Sequence, residues 1–297
     1  MDLNKIKGST YYIDSPTNIG VYSFKNKNCL LIDTGINNST AKKIDDILIK
    51  NNLHPKYIIN THSHMDHCGG NSFFKTHYPG CEIFTSTNEK LYIENTFLYS
   101  SMLYSSHAIK PLRNSSKAPK VDFELEIGMA KIGDEKFEIL NLKGHALGQI
   151  GIITPEKVCF LGDSVFSFEI LEKYSLPYLN NIEESLSTLE FLKTVDADFF
   201  LPSHSSNLLE SQELLELLNK NIENINEYVE LLLEILDQPA TKEDLVENLC
   251  ILKDLKLDIK QYHITYSTVS AFLTYLYDKN LIDYSLENGR LYYFKKS

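Results

Sequence analysis

Positive charge is scarce in this sequence: 29 lysines and arginines stand against 40 aspartates and glutamates, for a net charge of −11. Non-specific affinity for phosphate backbones comes mostly from basic charge. A dominant nucleic-acid surface is therefore not expected, although a local basic pocket stays open. Long apolar runs are missing too. No stretch reaches the roughly 18 residues of a membrane-spanning helix, and Met1-Asp2-Leu3-Asn4-Lys5 opens without the apolar core of a secretion signal. Cysteine is sparse: Cys29, Cys68, Cys81, Cys159 and Cys250 are odd in number and show no paired spacing. That is the pattern of free thiols in a reducing compartment. These absences lead us to expect a soluble, cytoplasmic protein with no membrane partner.

What is present is ordinary, with one exception. A chain of 297 residues exceeds the size that one core usually serves, so two domains are expected. The exception is the stretch from Thr61 to Gly70, which places His62, His64, Asp66 and His67 within six residues. Imidazole and carboxylate are the ligands that zinc, iron, manganese and cobalt accept. The apolar run at residues 57–60 reads as a strand, so His62 and His64 lie in the loop at its end. Residues two apart in extended backbone project to the same side, which lets this pair grip one ion. Asp66 and His67 fall where the chain should turn into a helix, whose N-terminus an aspartate can cap. Their side chains point elsewhere than the first pair, so one loop can serve two neighbouring ions. Gly69 and Gly70 allow the backbone to pass close to the site.

Around this loop the chain reads as strands and helices in alternation. Residues 11–13, 20–24 and 29–32 form strands joined by turns. Asp33-Thr34-Gly35 closes the last of them, and a helix over 41–50 buries Ile44, Ile47 and Leu48. A strand follows at 82–84, then a less regular region at 91–120. Two readings of that region stay open. It is a surface insertion whose aromatics pack back on the core, or a lid over the site with Arg113 or Lys117 meeting an anionic substrate. Strands at 121–127, 137–142, 150–154, 158–161 and 199–201 follow, with an amphipathic helix at 183–194. His145, Asp163 and His204 come soon after three of these apolar strands, and that recurrence matters more than any one of them.

The remainder is helical. From 209 to 236, Leu218, Ile222, Ile225, Val229, Leu232 and Leu236 recur at spacings of 4, 3, 4, 3 and 4, a narrow apolar stripe that reads as a docking face for the preceding domain. Gln238-Pro239 breaks the chain and Thr241 caps the next helix. A further helix at 267–279 and a two-stranded ribbon about the turn at 287–289 look like a winged helix. From Asp237 onward, nine acidic residues stand against eight basic ones. A DNA reader normally presents a basic face, so structural use or homodimerisation is the preferred role.

With its histidines and aspartates collected, the chain resembles the metallo-β-lactamase superfamily. The signature His-x-His-x-Asp-His-x-Gly-Gly is met in full by His62 to Gly70, and Gly144-His145, Gly162-Asp163 and Ser203-His204 match the later motifs in order. The resemblance implies an α+β fold, an αββα sandwich over residues 1–207, followed here by a connecting helix (208–236) and a small winged-helix-like domain (237–297). It also implies that His62, His64 and His145 hold one metal, that Asp66, His67 and His204 hold a second, and that Asp163 bridges them. Asp33 matches a position that orients a ligand histidine. Two divalent ions, zinc first with iron or manganese as alternatives, lie ~3.5–4 Å apart in such sites and generate a bridging hydroxide near neutral pH. An ester, thioester, lactone or phosphodiester of small-molecule size could then be cut without a protein nucleophile, Asp66 shuttling the proton.

The layout is closest to the β-lactamase-like protein 2 branch, since the tail does not resemble the basic segment of glyoxalase II-like members. Lys143 stands where family members often carry proline and is either solvated or in reach of an anionic substrate. Cys68 reads as a small packing residue. Tyr174 and Tyr178 either line the site or pack. Two alternatives accompany the hydrolase: a mononuclear iron sulfur-dioxygenase, and a regulator that binds nucleic acid through its tail.

Overall fold

The computed structural model describes residues 1–113 and 118–296. Strands β1 (Leu3–Lys7), β2 (Thr10–Ile13), β3 (Ile19–Ser23) and β4 (Asn28–Ile32) form an antiparallel meander. Helix α1 (Asn38–Lys50) crosses over to β5 (His54–Ile59), which runs parallel to β4. Helices α2 (Met65–Cys68) and α3 (Asn71–His77) lead to β6 (Glu82–Thr85). Then α4 (Thr87–Glu94), α5 (Phe97–Tyr104) and a 3-10 turn at Lys110–Leu112 precede β7 (Phe123–Glu124). Strands β1 to β7 lie in that order in one sheet.

The second sheet contains β8 (Gly128–Ile132), β9 (Glu135–Asn141), β10 (Ile150–Ile153), β11 (Val158–Gly162) and β12 (Phe199–Pro202), again in chain order across the sheet. Helices α6 (Phe168–Tyr174) and α7 (Ile182–Leu192) connect its two parallel strands, β11 and β12.

Why two sheets face each other is written in the strands themselves. In β4, Cys29 and Leu31 join one hydrophobic cluster with Ala41, Ile44 and Leu48 of α1, whereas Leu30 and Ile32 join another with Phe137, Ile152 and Phe160 of the second sheet. In β11, Val158 and Phe160 face that same inner cluster, while Cys159 and Leu161 face Leu189 and Leu192 of α7. Side chains alternate faces along a strand, so an uninterrupted apolar run marks a strand covered on both sides. Each fully buried aliphatic or aromatic side chain contributes about 1.5–3 kcal/mol. Helix, sheet, sheet, helix is the layering that satisfies both runs.

Helix α8 (Ser211–Ile235) lays Leu214, Leu218, Ile225 and Leu232 into the outer cluster of the second sheet, together with Phe200 of β12. The stripe seen in the sequence is thus a docking face. Helices α9 (Lys242–Leu252) and α10 (Ile259–Asp278) and the hairpin of β13 (Ile282–Glu287) and β14 (Arg290–Lys295) complete the chain. Leu249, Phe272 and Ile282 belong to the same cluster as α8, so one apolar core runs across residues 207 and 236.

Four details depart from the sequence reading. An additional strand, β1, extends the meander at the edge of the sheet. The strand expected over 121–127 shrinks to β7, and the chain then passes to β8 in the other sheet. Residues 91–113 contain ordered helix: Ser86 caps α4, and α5 packs against α10. Helix α10 begins eight residues earlier than 267, because Asp258 accepts the backbone N–H of Gln261 and starts it. Among the described residues, no helix is long and apolar enough to cross a membrane.

Candidate metal centre

Every ligand-type residue singled out from the sequence arrives at one edge of the sandwich. His62 and His64 leave the end of β5, His145 follows β9, Asp163 follows β11 and His204 follows β12. Two groups result: His62, His64, His145 and Asp163 in one, and Asp66, His67, Asp163 and His204 in the other. Within each, one donor atom per residue lies within 4.8 Å of all the others. Asp163 belongs to both. Its Oδ1 is 3.3 Å from His67 Nε2, and its Oδ2 is 3.5 Å from His145 Nε2 and 3.4 Å from His204 Nε2.

The imidazoles are held from behind. His67 Nδ1 donates to Asp33 Oδ2 at 2.7 Å, His145 Nδ1 to the Tyr178 carbonyl at 2.9 Å, and His204 Nδ1 to the Pro16 carbonyl at 2.7 Å. His62 Nδ1 meets the Thr61 hydroxyl at 3.1 Å, and that hydroxyl donates to Asp33 at 2.8 Å. In these four rings Nε2 is left to face the cluster, the arrangement that outer hydrogen bonds impose on metal-binding histidines. Asp33 therefore fixes two rings. It sits at φ +66, on the tight turn after β4.

Gly69 and Gly70 serve that same turn. A Cβ on Gly69 would lie 2.1 Å from the Ile36 carbonyl oxygen, and one on Gly70 would lie 2.3 Å from that of Thr34. Only glycine permits this approach of backbone to backbone. Asp66 is not a helix cap as the sequence suggested: His64 is the N-cap of α2, and the Asp66 carboxylate turns instead to His204, with Oδ2 3.2 Å from Nε2.

The two groups differ in charge. Burial, followed by neighbouring imidazoles, holds His62 well below the usual histidine range, and burial with the adjacent His145 pushes His64 down to about 3. Burial also lowers His145. These rings are neutral, the form that binds metal. Burial acts in the same sense on His67 and His204, but the carboxylates outweigh it: Asp163, Asp66 and Asp33 raise His67 well above its ordinary value, and Asp163 and Asp66 push His204 up to about 10. Burial would raise Asp66 and Asp163, yet His67 and then His204 hold both carboxyls below the carboxylate range.

The donor set fits divalent ions. His62 Nε2, His67 Nε2 and Asp163 Oδ1 are buried without a hydrogen-bond partner, and an unsatisfied buried polar group costs about 1–3 kcal/mol. All three atoms point into the two groups: His67 Nε2 and Asp163 Oδ1 face each other as an ion pair at 3.3 Å, whereas His62 Nε2 meets no partner, and a cation would satisfy each of them.

One residue that holds the site escaped the sequence reading. Glu89, only 1% exposed, accepts the Ser63 backbone N–H at 2.8 Å and the Gly148 backbone N–H at 2.7 Å. It thereby ties the loop of His62 and His64 to the loop of His145. Its signal was hidden, because Ser86-x-x-Glu89 at a helix start has the pattern of a capping box.

A cavity of about 580 Å³ opens over His64, Asp66, His145, Asp163 and His204. Tyr174 and Tyr178 line it, as do Tyr92, Tyr99 and Arg113 from the 91–113 region, so that region covers the site. The Tyr99 ring packs 4.8 Å from that of His64. Lys143 does not line the cavity; its carbonyl accepts from Thr188. Lys117 lies outside the described residues. Cys68 is buried in the cluster beside α1 and belongs to neither ligand group.

The comparisons with known proteins agree with this geometry. Residues 12–204 match the family model of the metallo-beta-lactamase superfamily. A hydroxyacylglutathione hydrolase GloC of Haemophilus influenzae is 34% identical over 47% of this chain and 62% of that protein. A hydroxyacylglutathione hydrolase of Buchnera aphidicola is 31% identical over 48% of this chain and 44% of that protein. The chain thus spans about half the length of the curated relatives it matches. A metallo-beta-lactamase family protein from Thermus thermophilus superposes with a TM-score of 0.76 at 18% identity, covering 97% of this chain and 99% of that one. A beta-lactamase domain protein from Burkholderia ambifaria gives 0.74 at 16% identity, covering 99% and 94%. Both likenesses show the fold, C-terminal segment included. With its signature loop, its two ligand groups and its sandwich in place, the chain belongs to the metallo-beta-lactamase superfamily.

Proposed function

We propose that this protein is a dinuclear metal-dependent hydrolase of small-molecule esters, with thioesters first among them. The observation that carries the reading is the shared carboxylate: Asp163 faces two groups of donors, each complete enough to hold an ion, at the floor of one cavity. His62, His64 and His145 would hold one ion, Asp66, His67 and His204 the other, and Asp163 would contact both. When bound, such a pair lowers the pKa of water and polarises the carbonyl to be attacked. Thioesters are favoured because relatives in two organisms are named hydroxyacylglutathione hydrolases, and an acylated glutathione is a thioester.

The chain's own residues supply position and proton transfer. Asp33 and the carbonyls of Tyr178 and Pro16 keep each Nε2 aimed inward. The Asp66 side chain is 34% exposed against 8% for Asp163. Asp66 is therefore the more accessible of the two carboxylates, and because Oδ2 faces His204 and His67, its other oxygen is the one that would take a proton from the attacking water and return it to the leaving group. The rings of Tyr99 and Tyr178 flank His64 and His145 and exclude bulk water from them. Within this reading residues 1–207 are the catalytic domain, 208–236 the connecting helix and 237–297 the winged-helix-like domain.

Elemental analysis of purified protein, followed by assays on thioesters, lactones and phosphodiesters, tests the reading. Two divalent ions per chain, zinc in the first instance, with thioester hydrolysis are expected. One iron per chain with oxygen uptake on a persulfide would overturn it in favour of the dioxygenase.

A further inference from the structure

The C-terminal segment forms part of the wall of the cavity over the ligand groups. Lys260, Gln261 and Ile264 of α10 line it, Arg113 lines it from the end of the 3-10 turn, and α10 packs on that turn. The two covering elements are joined to each other: α5 packs on α10, where the rings of Tyr104 and His263 lie 5.1 Å apart. The C-terminal segment is thus a wall of the same chamber.

The distribution of charge on that wall is the reverse of the molecule's. In a chain of net charge −11, the carboxylates lining the cavity are Asp66 and Asp163, both committed to the ligand groups. Lys260 and Arg113 are exposed cations, and no ion pair to a described residue engages either. Asp258, the carboxylate nearest Lys260 along the chain, is turned to its own helix, where it accepts the Gln261 N–H at 2.7 Å. Arg113 Nε donates to the Ala108 carbonyl at 2.7 Å, which anchors its guanidinium at the rim. The walls of the same cavity also include Tyr92, Ile93, Tyr99, Leu112, Tyr174 and Ile264. A volume of 580 Å³ holds a molecule of drug size.

We infer that this chamber selects an elongated substrate with an apolar body and an anionic end, a carboxylate or a phosphate, which Lys260 and Arg113 receive while its acyl carbon lies over Asp163. The C-terminal segment is accordingly a substrate-recognition element. This substrate class rests on the hydrolase reading, but the anion site is tested by binding alone.

The test titrates the zinc-loaded full chain, by calorimetry, with three thioethers in which a methylene replaces the scissile carbonyl. They share one apolar body and end in a carboxamide, a carboxylate or a phosphate. The wild-type protein should bind the anionic analogues about ten-fold more tightly than the neutral one, as a charge-assisted contact near the surface allows. Comparison of carboxylate with phosphate shows which end the site receives. Lys260→Glu and Arg113→Glu should each reduce the preference at least five-fold, and Lys260→Arg should retain it. Equal affinity for all three analogues, or no binding of any, overturns the inference. So does an anionic preference that survives both charge reversals, because the anion then sits on the metals. Loss of hydrolysis with the anion preference intact would instead count against the hydrolase reading alone.

Discussion

The two ligand groups share Asp163 and sit side by side, yet they are built in opposite ways. The group of His62, His64 and His145 consists of neutral rings that crowd one another, His62 and His145 buried and His64 half-buried, and the pull of Asp163 and Asp66 does not outweigh their desolvation. The group of Asp66, His67 and His204 is an interleaved set of carboxylates and cationic imidazoles. The first is a set of bare donors waiting for a cation. The second is held together by its own ion pairs until a cation displaces their protons. One loop, His62 to His67, feeds both.

The largest effect should come from removing what the groups share. Asp163→Ala should lower hydrolysis by on the order of a thousand-fold or more, since several kcal/mol of electrostatic stabilisation are lost, and should lower metal content below that of any other single variant. Next come His145→Ala and His204→Ala, one in each group. Each should leave about one ion per chain by elemental analysis, and loss of both ions from either would mean that the groups are not separable. Asp33→Asn keeps the shape behind His67 but removes the charge, and should weaken metal binding about 10- to 100-fold in chelator competition. Glu89→Gln should act in the same direction by about ten-fold, because it loosens both loops without touching a ligand.

The smallest effect is in pH. His204, pushed up to about 10, carries a proton at neutral pH that metal must displace. Affinity at the second group should therefore fall as pH falls, by about ten-fold per unit for each proton displaced. The first group, already neutral at pH 7, should respond only at lower pH.

The floor of the site was legible because ligand chemistry is dense and local. Four donors lie within six residues, and His145, Asp163 and His204 come soon after strands, of which β11 and β12 carry the uninterrupted apolar runs that mark burial on both faces. Asp33 was legible only through the resemblance, which matches it to a position that orients a ligand histidine. The walls were not. Glu89 looks like a helix cap, and its real partners are 26 and 59 residues away along the chain. Tyr99 and Lys260 carry no periodic signal that points to a site whose nearest ligand-type residues, His67 and His204, are 32 and 56 residues away along the chain. Residues 259–266 are rich in tyrosine and isoleucine, weak helix formers, and they are helical in a helix that Asp258 caps and that packs on α9 and α5. Asp66 satisfied the local rule for a cap and obeyed the stronger pull of His204 instead. Local patterns reveal what local chemistry requires, whereas walls depend on which distant elements pack together.

The central claim is that the two groups are two metal sites of one hydrolytic centre. Its most direct test is to remove metal from the purified protein and add zinc back in steps, measuring bound zinc and thioester hydrolysis on the same samples. Two zinc ions per chain are expected, with full activity reached only as the second binds. Saturation at one ion per chain with full activity would contradict it.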